Sequence, residues 1–106
     1  MGRVFEFLVE TYAACETPSE AARYVEHVSR AAAQLTETGA EVRLHHAIFL
    51  PEDDISFYLF QACSAAAVRD AMTRAGLRSD QITEALSVDT KPTSLPEEGQ
   101  TNATRR

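Results

Sequence analysis

Lysine is nearly absent from this chain. Lys91 is the only one, the other basic residues are arginines, and 10 basic residues stand against 16 acidic ones for a net charge of −6. A general nucleic-acid binder needs a basic face to neutralise phosphates, so that class is excluded. Lys91 lies past the last periodic segment, which leaves the body of the chain without an amine for Schiff-base or P-loop chemistry. Cysteine is scarce too: Cys15 and Cys63 are too few for a disulfide framework and lack metal-finger spacing, so both are read as reduced thiols. No run approaches the roughly 20 apolar residues of a membrane span. Met1-Gly2-Arg3 leads straight into a strand pattern rather than a signal-peptide apolar region, which points to a cytoplasmic protein without a membrane partner.

What is present suits one soluble globular domain: 106 residues, 44% of them apolar and 25% charged. Val4–Glu10 alternates as a strand, with Phe5, Phe7 and Val9 on one face and Glu6, Leu8 and Glu10 on the other. Thr17-Pro18-Ser19-Glu20 has the form of a capping box with proline at the first helical position. Ala21, Val25, Val28, Ala32 and Leu35 then form one stripe of an amphipathic helix, which Gly39 closes. Arg23, His27, Arg30 and Gln34 line its polar face.

Val42–Leu50 and Ile55–Ala62 are rich in β-branched and aromatic residues, and Pro51-Glu52-Asp53-Asp54 between them makes a β-hairpin. Ser64 caps a second helix with Ala65, Val68, Met72 and Ala75 as its buried stripe; Gly76 ends it. Ile82–Val88 reads as a last short strand. The domain is therefore 1–88, and 89–106, with its prolines, glycine and no periodicity, reads as a disordered tail.

The order β-α-β-β-α-β predicts an α+β fold, the ferredoxin-like sandwich: an antiparallel four-stranded sheet with both helices on one face. Strict alternation places Phe5, Phe7, Val9, Val42, Leu44, Ile48, Ile55, Phe57 and Leu59 under the helices. It leaves Leu8, Ala47, Phe49, Tyr58 and Phe60 on the other face beside Glu6, Arg43 and His45. Such an apolar second face is costly in water, and a homodimer sharing a dimeric α+β barrel with an inner cavity would cover it.

Glu6, His45 and Tyr58 then share the open face, with Glu84 of ambiguous facing on the last strand. A carboxylate, an imidazole and a phenol around an apolar cavity form an acid–base set or a metal half-site, or else a hydrogen-bonded polar seam between subunits. His46 points into the core by the same alternation; a bulge near Pro51 would exchange the two histidines. His27 reads as solvated, Glu52-Asp53-Asp54 as a turn, and Cys63 as a thiol before a helix N-terminus.

The hairpin with its histidines, Ala67-Val68-Arg69-Asp70, Ala75-Gly76-Leu77 and Ile82-Thr83-Glu84-Ala85-Leu86 resemble a family of small bacterial nickel-binding proteins. These have a ferredoxin-like fold and pair into dimeric α+β barrels. The resemblance runs over about 4–88. It implies a homodimer and a strand-built site for nickel or another divalent transition metal, imidazole being a common ligand. By position His45 or His46 matches the family's strand histidine and Glu84 its last-strand glutamate. Ala71 stands where many of these proteins carry a histidine, and Tyr58 where many carry a cysteine, which favours an organic ligand over a metal. Two functions follow as expectations: a small homodimeric protein binding a metal or a small hydrophobic molecule, or a cofactor-independent enzyme of isomerase, cyclase or monooxygenase type. The second rests on analogy of fold alone.

Overall fold

The computed structural model describes residues 3–13, 15 and 17–88. The expected tail, 89–106, lies outside the described residues. The elements are β1 (Phe5–Tyr12), α1 (Pro18–Glu37), β2 (Val42–Leu50), β3 (Ile55–Ala62), α2 (Ala65–Arg74) and β4 (Gln81–Ala85), with a 3₁₀ turn over Pro51–Asp53 closing the hairpin. Asp54 completes that turn in the left-handed region, at φ 53, which a short polar side chain tolerates better than most. The strand order is β2-β3-β1-β4, antiparallel at every pairing. This is the ferredoxin-like α+β fold that the order of elements predicts.

Local chemistry sets the helix ends. The Thr17 hydroxyl accepts from the Glu20 N–H at 3.1 Å, and the Ser64 hydroxyl from the Ala67 N–H at 3.1 Å, each satisfying an otherwise orphaned donor. Both helices end in a Schellman motif. Gly39 at φ 105 lets Ala40 N–H donate to the Leu35 carbonyl; Gly76 at φ 79 lets Leu77 N–H donate to that of Met72. A polar clamp starts β4: Asp80 N–H donates to the Glu10 carbonyl at 2.9 Å, and its carboxylate accepts from Tyr12 N–H at 2.7 Å. The Thr11 hydroxyl donates to the Arg78 carbonyl in the same clamp.

Pairing register sorts the sheet into rows across the strands. On the helix side the rows are Glu84–Phe7–Phe60–Leu44, Ile82–Val9–Tyr58–Ala47 and Thr11–Ser56–Phe49. Val28, Ala32 and Leu35 of α1 and Val68, Ala71 and Met72 of α2 close over them as a single core. Fully burying a valine, leucine or methionine contributes about 1.5–3 kcal/mol. On the other side the rows are Ala85–Glu6–Gln61–Arg43, Thr83–Leu8–Leu59–His46, Gln81–Glu10–Phe57–Ile48 and Tyr12–Ile55–Leu50.

These rows correct the expected facing of the hairpin. Tyr58 and Phe60 lie beneath the helices, whereas Ile55, Phe57 and Leu59 lie on the open face. In β2 the expected facing holds at Val42 and Leu44, then inverts: a bulge between Leu44 and His46 inserts His45 as an unpaired residue. Past the bulge Ala47 and Phe49 face the core, while His46 and Ile48 face outward. One extra residue flips every later side chain because the strand period is two.

Candidate functional site

One end of the open face carries the polar row. Glu6, Gln61 and Arg43 stand side by side on β1, β3 and β2, with His46 in the next row. At the β1–β4 side of this end lies a cleft of about 400 Å³. Glu6, Gln61, Glu84 and Ser87 supply its polar lining, and Val4, Phe5, Ala85 and Leu86 its apolar lining. The Arg3 guanidinium sits over the Phe5 ring, 5.4 Å from its centroid. Leu86 is 89% exposed, so the rim is apolar and open to solvent.

Glu6 anchors this cleft. Its Oε1 accepts from Ser87 N–H at 2.9 Å, tying the chain beyond β4 back to β1. Hydrogen bonds from Ser87 hold the carboxyl below its usual range, and the charge of His45 adds a smaller push in the same direction. Glu6 is thus an ionised acceptor at neutral pH.

The other sequence candidates separate. His45 occupies the bulge and is exposed; His46, expected in the core, is exposed on the open face beside Leu59. Glu84 lines the same cleft as Glu6, yet its register partner is Phe7, so it stands on the helix-side parity at the end of an edge strand. Tyr58 leaves the set. It is 1% exposed, with the Phe49 ring edge-on to it at 5.8 Å between centroids. Burial, with the charges of Cys15 and Tyr24 behind it, pushes its phenol well above the ordinary value, so it stays protonated and serves neither as base nor as anionic ligand. Cys15 is buried, and burial, reinforced by Glu20, pushes its thiol up as well, away from nucleophilic use. Both cysteines are free thiols, as the sequence suggests.

Among the described residues, no group of three or more His, Cys, Asp or Glu side chains is placed to hold a metal ion. His45, His46 and Glu84 are thus not gathered into such a group among the described residues of one chain. The contribution of Ser87 was not legible in the sequence. It acts on Glu6 through its side chain and its backbone N–H together, a contact set by where the chain beyond β4 folds back and not by any local pattern.

No family model and no curated protein matches the chain. Its fold is that of an antiparallel, four-stranded ferredoxin-like α+β protein. A solved structure of this kind, that of SCO4226 from Streptomyces coelicolor A3(2), is similar, with a TM-score of 0.65 and 22% identity over 78% of this chain and 99% of that one. At that identity the likeness speaks for the fold alone. Among the described residues, no helix is long and apolar enough to cross a membrane.

Proposed function

We propose that the protein is a homodimeric binding protein for a small hydrophobic organic molecule, held between the open sheet faces of two copies. The supporting observation is the composition of that face. Leu8, Phe57, Leu59, Ile55, Ile48 and Leu50 form contiguous rows that no helix among the described residues covers, and Ile48 is 48% exposed. Contiguous apolar surface of this kind is stabilised by burial at about 25 cal/mol per Å². A second copy related by a two-fold axis covers like with like and leaves a cavity between the sheets. The polar row, Glu6, Gln61 and Arg43 with His46 and the bulged His45 beside it, gives that cavity one wet end to orient a ligand. An organic ligand is favoured over nickel because the face is mainly apolar and, among the described residues of one chain, no three His, Cys, Asp or Glu side chains are grouped to hold a metal.

Native mass spectrometry of the purified protein, paired with sedimentation at micromolar concentration, tests both halves together. The expected result is a dimer retaining an organic ligand, and a Phe57→Glu variant that is monomeric yet folded. A wild-type monomer at that concentration ends the proposal. Nickel titrated into wild type, His45→Ala, His46→Ala and His27→Ala addresses the metal directly. Tight binding lost with either hairpin histidine would replace the organic ligand by a metal shared between subunits.

A further inference from the structure

The helix side of the molecule carries a second concavity, unrelated to the open sheet face. A groove of about 370 Å³ runs between α1 and the last turn of α2, which is within the usual range of small-molecule sites. His27, Arg30 and Gln34 line it from α1, at the i, i+3, i+7 spacing that shares one helix stripe. Arg74 lines it from α2, and Ala31, Ala75 and Gly76 complete the lining, small residues that leave the space open. Every polar side chain in this lining is a guanidinium, an imidazole or an amide. No carboxylate lines the groove, in a chain where 16 acidic residues outnumber 10 basic ones.

Two carboxylates compete for the arginines from outside the lining. Arg30 Nη2 donates to Glu26 at 2.9 Å and Arg74 Nε approaches Asp70 at 3.8 Å. Both pairs lie in solvent, where such contacts are weak and readily exchanged. A guanidinium carries five N–H donors, so each arginine keeps donors free for a ligand. The carbonyl end of α2 also disfavours an anion, but two of its carbonyls are already bonded, Thr73 by Gly76 N–H and Met72 by Leu77 N–H, both at 2.9 Å.

We infer that this groove binds a small, multiply charged oxyanion, a phosphate ester or a polycarboxylate, clamped between Arg30 and Arg74 with His27 and Gln34 alongside. Two arginines facing one small space suit planar, bidentate recognition of such groups. A long nucleic-acid strand is a poor occupant, because the net charge of −6 repels a polyanion that must cross the rest of the surface.

The test is a titration of the full-length protein at low ionic strength with inorganic pyrophosphate and with citrate, followed by backbone amide shifts and calorimetry. Saturable binding is expected, with shifts centred on residues 27–34 and 74–76. Arg30→Gln and Arg74→Gln should each weaken it about tenfold or more, and Arg74→Lys less, because lysine lacks the fork. Tighter pyrophosphate assigns the site to phosphate esters; tighter citrate assigns it to polycarboxylates. Arg69→Gln, on α2 but outside this lining, should leave the binding unchanged, and the oligomeric state should be the same with and without ligand. Non-saturating shifts, affinity unchanged in the Arg30→Gln/Arg74→Gln double variant, or an equal loss on Arg69→Gln would overturn the assignment. All these side chains are exposed, so the variants keep the fold.

Discussion

The two faces of this sheet are made of nearly the same material and have opposite fates. Phe7, Phe60, Val9 and Tyr58 form the centre of the helix-covered face and are buried; Leu8, Leu59, Phe57 and Ile48 form the centre of the other, half-buried or exposed, with no helix over them among the described residues. Side-chain chemistry does not distinguish the two sets. What differs is that α1 and α2 both cross to the same side, as the connections of this fold require. A sheet with two apolar faces is a half-finished object, and the uncovered half predicts a second body.

The sharpest way to break the comparison is to truncate one residue on each face. Phe60→Ala leaves a cavity under the helices and should cost about 3–5 kcal/mol in chemical denaturation. Phe57→Ala, measured at high dilution, should cost far less, because its side chain is only half covered in one chain. An equal loss at both positions would mean that the open face is packed even in the isolated subunit.

Concentration sharpens the same contrast. The wild-type melting temperature should rise with protein concentration, as mass action requires of a dimer, whereas that of Phe57→Ala should rise less. A wild-type melting temperature independent of concentration would remove the second body from the picture.

A smaller effect checks that local signals behave as local. Thr17→Ala removes the hydroxyl that accepts from Glu20 N–H and should cost about 1 kcal/mol by thermal denaturation, with no change in oligomeric state. The smallest effect concerns Glu6. Its carboxyl is held below the ordinary value by Ser87, so its contribution is present above the unfolded carboxylate pKa and is lost as pH falls through the folded one. Wild type should be slightly more stable than Glu6→Gln at neutral pH, and the gap should close in acid. A gap that widened as pH fell would show that the Ser87 contact is not what holds the carboxylate.

Much of the candidate site was legible in the chain, and what escaped did so for identifiable reasons. Glu6 was placed correctly because β1 has one face of large apolar residues and one mixed face, so alternation had something to distinguish. Tyr58 was misplaced because β3 is apolar on both sides: Ile55, Phe57 and Leu59 against Tyr58, Phe60 and Ala62 give two equally good readings. Register with β1, pairing Val9 with Tyr58 and Phe7 with Phe60, decides between them. His46 was misplaced because the bulge falls at the neighbouring histidine rather than near Pro51.

The sequence by itself determined the kind and order of the six main elements, because each rests on contacts within a few residues. Thr17 and Ser64 at the helix starts, Gly39 and Gly76 past the helix ends and the turn after Leu50 are all local devices. Only the tertiary structure decided which side of β3 is buried, where β2 breaks its alternation, and that Glu6 meets Ser87 across 81 positions of chain. Those outcomes depend on which strand lies beside which and in what register. A strand with two apolar faces cannot specify that choice until its neighbours and the helices compete for it.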